Sequence, residues 1–465
     1  MAIKIHVERK GMDVYNCAKT TQAISGDEDM QSIWQRNVSL PQFPRLEKDI
    51  QTDVLIIGGG LCGLLCAHLL QEAGVRYVLL EAGNICGGTT AHTTAKITTQ
   101  HGLLYAKLEQ RYGIQTASSY YQIQSHAAEH LRALAQAVDC DYETVDAYLY
   151  ARDTAKKLHK ELRTLHCIGV PVRYVKNVDL PFPVAGALCM SRQGQFHPLK
   201  FANGILARLC HENIYEHSAV RAYDGMRYCT HQGSVRAEKN IVATHFPIWN
   251  KHGAYYLKMY QHRSYVLALQ GASAVNGVYL DADKTGLSFR MYGPYLLLGG
   301  GSHRTGQQGG GFSELEAVCQ TLYPTATVAY QWAAQDCMTL DGMPYIGLYG
   351  KHTPGLFVAS GFNKWGMTGA MAAAEVLCDM ILQKGKTAGR IFSPQRSIWH
   401  PQLLCNGVHA IWGLLRPTCP RCPHMGCALQ WNAQEHTWDC PCHGSRFAQN
   451  GDCLEGPATG SLDLH

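Results

Sequence analysis

Asp53-Val-Leu-Ile-Ile-Gly-Gly-Gly-Leu-Cys-Gly63 is the stretch on which the fold turns. Val54 to Ile57 is apolar and branched throughout, as suits a parallel strand covered on both faces. It runs straight into Gly58-Gly59-Gly60-Leu61-Cys62-Gly63, which satisfies G-x-G-x-x-G, and Leu64 to Glu72 then predicts a helix closed by Gly74. Glycines so placed permit a tight turn, close approach of the backbone to a pyrophosphate and close packing of helix on strand. The helix N-terminus adds free N–H groups and partial positive charge for the phosphates, so Gly58, Gly60 and Gly63 are candidate cofactor contacts. A second strand, Tyr77-Val-Leu-Leu-Glu81, ends about twenty residues after the turn on an acid, where Glu81 can accept hydrogen bonds from ribose hydroxyls. Strand, turn, helix and terminal acid together point to a dinucleotide site, not to an ordinary glycine turn.

Around this stretch the 465-residue chain has a globular composition, 46% hydrophobic and 17% charged. That excludes a disordered or fibrous protein, and the length predicts about three folding units. A net charge of +5 is too small to argue for nucleic acid or a membrane surface. The first ten residues, Met1 to Lys10, have neither an apolar core nor a small-residue cleavage site, so no signal peptide is expected. The most apolar run, Val54 to Leu70, holds four glycines and reads as strand, turn and helix, not as a transmembrane segment. A cytoplasmic location with mostly reduced thiols is the expectation, and residues 1–33 stay an unplaced N-terminal extension.

The fingerprint serves FAD and NAD alike, and the residues after Glu81 decide between them. Gly87-Gly88-Thr89-Thr90-Ala91-His92-Thr93-Thr94 is a glycine- and hydroxyl-rich loop that can line the second phosphate and ribityl chain of a flavin. Here the sequence resembles the FAD-dependent oxidoreductases of the D-amino-acid oxidase type, which include glycine and sarcosine oxidases. Gln195 to Lys200, Glu216 to Val220, Ile241 to Thr244, and Asp341 to Gly347 followed by Gly355 to Thr368 are similar to further FAD segments of that family. The resemblance implies FAD contacts at Gly88, Thr89 and Thr90, and adenine against the Val220 backbone. It also places Gly361 in a turn, and Gly366, Met367 and Thr368 at the N-terminus of an alanine-rich helix (369–382) that faces the flavin pyrimidine and stabilises negative charge there. Gly299-Gly300-Gly301 is not followed by a helical pattern and reads as a strand end and turn. With no second nucleotide fold, an organic substrate is expected to reduce the flavin.

Six of the nineteen cysteines, Cys419, Cys422, Cys427, Cys440, Cys442 and Cys453, fall in the last 47 residues, a concentration that asks for a metal. Cys422-Pro423-His424 and Cys440-Pro441-Cys442-His443 form the C-x-H and C-x-x-H pattern of a Rieske [2Fe–2S] centre. In such a centre Cys422 and Cys440 hold one iron, and His424 and His443 the other. A zinc site drawn from Cys419, Cys422, Cys440 and Cys442 or His443 is the competitor, though C-x-x-C with C-x-C-H makes a poor zinc ribbon. Cys427 and Cys442 resemble the pair that forms a loop–loop disulfide in respiratory Rieske proteins, and Gly456-Pro457-Ala458 resembles their covering loop. Two departures stand out. Few residues precede the first ligand, so the lobe is truncated and leans on the flavoprotein. Phe447 replaces a tyrosine, which implies a lower potential, while Ser445 keeps its hydroxyl.

The expected architecture is α/β. An FAD-dependent oxidoreductase (34–393) has Rossmann-like FAD-binding pieces at about 50–104, 191–251 and 331–393. These interleave with a mixed-sheet substrate layer at about 105–190 and 252–330. A linker (394–416) leads to a small all-β Rieske lobe (417–465). His92 stands where some amine-oxidising relatives attach flavin covalently, but a polar loop histidine suits the position better. Lys364 and His245 are flavin-side candidates. Arg263 and Arg290 either clamp a substrate carboxylate or make surface salt bridges. No catalytic acid or base stands out. The expected activity is a dehydrogenase that takes hydride from an amino acid or N-methylated amine and passes electrons singly through the cluster to an acceptor protein. The alternatives are an oxidase with a structural cluster, or an electron carrier with no organic substrate.

Overall fold

The computed structural model describes residues 31–36, 38–283, 286–384, 387–417 and 420–463. Residues 1–30 of the extension and Cys419 lie outside these. The elements that frame the site begin with β1 (Asp49–Ile57), α1 (Leu61–Glu72), β2 (Tyr77–Leu80), β3 (Lys96–Ile97), β4 (Glu143–Ala151), β5 (Gly186–Gln195), β6 (Ile214–Tyr215) and β7 (Ser234–Val242). β8 (Met259–Gln270), β9 (Val278–Asp281), β10 (Ser288–Tyr292), β11 (Tyr295–Arg304) and β12 (Thr327–Thr339) follow. The chain then returns through β13 (Tyr345–Leu348), β14 (Leu356–Ser360) and α2 (Gly366–Ile381) before α3 (Pro401–Leu415). It ends in β15 (Gln430–Asn432), β16 (Thr437–Asp439), β17 (Arg446–Ala448) and β18 (Cys453–Glu455).

The first sheet runs β13-β14-β7-β1-β2-β6, parallel except at the β13–β14 edge. Ile57 lies level with Leu80 on one side and Val242 on the other, so three strands end together and their exits share one edge. α1 buries Leu61, Leu64, Leu65 and Leu70, and the small side chains Ala370, Ala372, Ala373 and Ala374 let α2 join the same core. The second sheet, β12-β8-β11-β10-β9-β4-β5-β3, is mixed, because β9 and β4 pair in parallel within an otherwise antiparallel order. The last four strands form an antiparallel meander, and all of them follow Cys427.

Three sequence readings change. α1 starts at Leu61, earlier than periodicity suggests, because Gly63 is apolar space inside the helix and not a breaker. Gly299 to Gly301 do not end their strand: β11 continues to Arg304. At Gly299 a Cβ would lie 2.6 Å from Ser288 Oγ, and at Gly300 2.7 Å from Leu287 Cδ2, so these glycines serve close packing. The stretch read as a linker carries the four-turn helix α3.

Candidate active site and metal centre

At the shared strand edge, Gly58 has φ +110°, and a Cβ there would sit 2.5 Å from the Ala243 carbonyl oxygen. A Cβ on Gly63 would be driven into the Gly58 carbonyl, so this glycine lets the helix close on the turn. Gly60 is different. Its nearest neighbour would be Thr90 Oγ1 at 3.6 Å, and Gly88 and Gly366 have nothing within 4 Å. A cradle kept free of Cβ atoms suits a pyrophosphate-bearing cofactor, so these residues fit FAD. Glu81 spans the turn, accepting from the Gly59 and Gly83 amides at 2.7 and 2.8 Å. Thr90 Oγ1 accepts from the Leu61 amide at 3.1 Å and so caps α1. Val220 is half-buried against the outer core of the first sheet.

The hydroxyl-rich loop is pinned carbonyl by carbonyl. The Ser32 hydroxyl donates to Ala91, Trp332 Nε1 to His92 at 2.9 Å, and Trp34 Nε1 to Thr93 at 2.7 Å. Arg290 Nη1 donates to Thr94 and Ala95 at 2.5 and 2.9 Å. Arg290 is therefore neither a carboxylate clamp nor a surface charge; it is buried and holds the loop. His92 Nδ1 donates to the Gly88 carbonyl at 2.9 Å, a structural use of the ring. Acid precipitation is expected to leave all flavin in the supernatant, whereas flavin in the pellet would mark His92 as a covalent attachment point.

A cavity of about 340 Å³ lies between the loop, the second sheet and the start of α2. Thr89, Gly366 and Met367 line it, as do Tyr148, Tyr265 and Tyr279 opposite. The glycine turn, Thr368 and Val220 are not in its lining. The N-terminus of α2 is fixed by His101, whose Nε2 lies 3.2 Å from Thr368 Oγ1 and whose ring stacks on Trp365 at 4.6 Å. Gly361, at φ +71°, makes the turn from β14 towards α2. Lys364, also at positive φ, reaches Ser264 and Ser302 at 2.8 and 3.0 Å from the cavity lining; desolvation lowers its pKa against the pull of Asp336. Lys96 shares the lining, and burial lowers it to about 7. His245 is not in the lining; its Nε2 is buried without a partner.

In the C-terminal lobe the His424 and His443 rings lie 4.9 Å apart at 89°. Burial lowers them to about 4 and about 3, so both are neutral, the form a metal requires. His424 Nε2 donates to Asn250 Oδ1 at 2.8 Å, which leaves Nδ1 with the lone pair. Both Nδ1 atoms are buried and without partners. A hydrogen bond between the Cys422 and Cys440 side chains lowers the pKa of Cys422 and raises that of Cys440. Cys427 and Cys442 form a disulfide. Among the described residues, Cys427, Cys440 and Cys442 are the one His, Cys, Asp or Glu group with donor atoms all within 4.8 Å, and the disulfide uses two of them. Cys422, His424, Cys440 and His443 do not crowd around a single point, as one tetrahedral zinc would demand; two thiols and two orphaned imidazole nitrogens fit a two-iron cluster. Ser445 Oγ accepts from the Ala458 amide at 3.0 Å, tying down the loop around Pro457, and Phe447 is fully buried.

The lobe locks onto the second sheet. Gln261 Nε2 donates to the His443 and Gly456 carbonyls at 2.9 and 2.8 Å, and Gln335 Nε2 to Gly444 at 2.9 Å. Arg263 pairs with Glu435 and, at 3.2 Å, with Glu455; Arg446 joins Glu435 at 2.8 Å and Asp439 at 3.0 Å. Arg263 thus binds the lobe and is neither a substrate clamp nor a surface charge. Sequence spacing gave no hint of Gln261, Gln335 or Glu435, whose partners across the seam lie more than a hundred residues away in the chain.

Fold and site together define a flavoprotein with an iron–sulfur lobe. Residues 53–380 match the DAO family, described as FAD dependent oxidoreductase, and residues 409–464 match the Rieske [2Fe-2S] domain. The chain belongs to the DAO family of FAD-dependent oxidoreductases and carries a C-terminal Rieske domain; its cofactors are FAD and a [2Fe–2S] cluster. It is 32% identical to the putative Rieske 2Fe-2S iron-sulfur protein YhfW of Bacillus subtilis (strain 168), over 93% of this chain and 96% of that one. It is 28% identical to gamma-glutamylputrescine oxidoreductase of Escherichia coli (strain K12), over 43% of this chain and 50% of that protein. The glycine oxidase structure from Geobacillus kaustophilus superposes with a TM-score of 0.62 at 21% identity, covering 75% of this chain and 99% of that one. No helix among the described residues is long and apolar enough to cross a membrane.

Proposed function

We propose that this enzyme is a dehydrogenase for an amino acid or N-methylated amine that sends electrons through its cluster to a protein acceptor. When bound, FAD accepts two electrons as hydride and the [2Fe–2S] centre carries one at a time. Gly58, Gly60, Gly63, Glu81, Gly88, Thr89, Thr90 and Val220 hold the dinucleotide, while Gly361 shapes the turn that presents Gly366, Met367 and Thr368 to the ring. Cys422, His424, Cys440 and His443 hold the cluster. Gln335 carries the reading. Its carbonyl accepts the Thr89 hydroxyl of the flavin loop at 3.3 Å, and its amide donates to Gly444 of the cluster loop, so one residue joins both cofactor loops.

Lys364 supplies cavity charge for a carboxylate, joined by Lys96 when protonated, Asp336 faces an amine, and the three tyrosines exclude water. The likeness to gamma-glutamylputrescine oxidoreductase supports an amine substrate. Fifteen free cysteines among the described residues suit a reducing cytoplasm. The test is an anaerobic screen of amino acids and N-methylated amines. A true substrate is expected to bleach the flavin and then produce the electron paramagnetic signal of a reduced cluster. Bleaching without that signal, with one peroxide formed per turnover in air, would make the protein an oxidase instead.

A further inference from the structure

α3 contains no Asp, Glu, Lys or Arg, and its outer face is bare. Asn406 and Gly413, seven residues apart, point inward, while Leu404, Val408, Ile411, Trp412 and Leu415 share the opposite stripe. These five side chains are exposed, from 51% at Val408 to 75% at Leu404, and Trp399 before the helix is 82% exposed. Seven of the thirteen large apolar residues exposed on the described surface fall between Trp399 and Leu415, which makes this a patch and not scatter. The chain around it is basic. No Asp or Glu occurs from Met380 to Gln434, while six Lys or Arg do, of which Arg396 is taken up by Asp341. Exposed Arg416 follows the helix directly, and exposed Arg111 donates to the Trp399 carbonyl at the other end.

We propose that α3 docks the enzyme on an anionic phospholipid bilayer, lying in the headgroup region with its apolar stripe down. Fifteen residues span about 22 Å, short of the ~30 Å hydrocarbon layer, so the helix lies along the surface. A tryptophan near each end matches the preference of that ring for the interface, and the flanking arginines match anionic headgroups. The helix is fixed to the cluster lobe from behind. Its Asn406 side chain takes Arg304 Nη1 at 2.8 Å, the Gly413 carbonyl accepts from Ala428 at 2.8 Å, and a Cβ at Gly413 would lie 2.5 Å from Cys442 Sγ. Docking therefore brings the disulfide side of the lobe to the lipid surface. This surface goes beyond the proposed activity and does not depend on which amine is oxidised.

The experiment is flotation of the holoenzyme with phosphatidylcholine vesicles, with and without phosphatidylglycerol. The wild type is expected to float with the phosphatidylglycerol vesicles, less so in high salt, and weakly with phosphatidylcholine alone. Ile411→Asp/Leu415→Asp, both on the exposed face, is expected to cut partitioning about tenfold or more while keeping flavin absorbance and cluster signal, and Arg416→Gln to weaken it by a smaller factor. A wild type that stays at the bottom of the gradient, or an aspartate variant that floats equally well, overturns the proposal. A wild-type dimer that does not float and that the aspartate variant splits overturns it in favour of a second copy on this face.

Discussion

His443→Ala is expected to yield an enzyme with full flavin and no cluster: iron near background, no paramagnetic signal on reduction, and flavin stoichiometry unchanged. The His443 ring supplies one of the two orphaned, buried Nδ1 atoms, and nothing near it replaces that donor. The flavin cradle is built from other residues, on β1, α1 and the loop after β2, so its occupancy does not depend on the lobe ligand. Splitting the kinetics makes the result diagnostic. Anaerobic flavin reduction by substrate should change less than about twofold, whereas turnover with a one-electron acceptor should fall about a hundredfold or more, since in the proposed electron path only the second half-reaction uses the cluster. Equal rates in both assays would reduce the cluster to a structural part.

Arg263→Met is expected to destabilise the enzyme by about 3–5 kcal/mol, because it leaves the buried Glu435 carboxylate short of a partner. Arg263 is 4% exposed and Arg446 4%, so neither has solvent to fall back on. The loss should appear in calorimetry as an earlier transition of the lobe, with cluster absorbance bleaching before flavin is released. The same network fixes a pH dependence. Burial alone would raise the Glu435 carboxyl, but Arg263 and Arg446 outweigh it and hold the group below its usual range. A depressed native pKa gives stability that is present above the unfolded value of about 4.3 and lost as pH falls below it. Lobe melting should thus be flat from pH 7 to about 5 and drop steeply under pH 4 in the wild type, and drop less in Arg263→Met. A parallel acid profile in the two proteins would show that the network does not set lobe docking.

What the sequence made legible follows from chemistry that is local in the chain. Gly58 to Gly63 with Glu81, and the C-x-H with the C-x-x-H motif, each span fewer than 25 residues of chain, so their spacing alone implies a turn or a ligand loop. The resemblance extended this to the α2 N-terminus. Long-range residues were misread for the same reason. Arg263 and Arg290 read as either substrate clamps or surface salt bridges because a lone arginine carries no trace of whether a glutamate from the lobe or a backbone carbonyl of the flavin loop will meet it. Gln335, the link between the two cofactor loops, sits in an ordinary strand pattern. The α3 helix hid in a stretch with proline and glycine near both ends, where its apolar spacing passed for a linker.

The seam around Arg263 has a consequence for inheritance. The lobe's strands all follow its first ligand loop, and its missing wall is supplied by β8 and β12, through Gln261, Arg263 and Gln335. Lifted out, the lobe would leave Glu435 and Glu455 to share Arg446 as counter-ion, and the remaining body would keep Arg263 stranded in its sheet. Such a piece is no longer a cassette: it cannot be lost, swapped or borrowed without rewriting the other half, so the two parts are bound to evolve as one gene product.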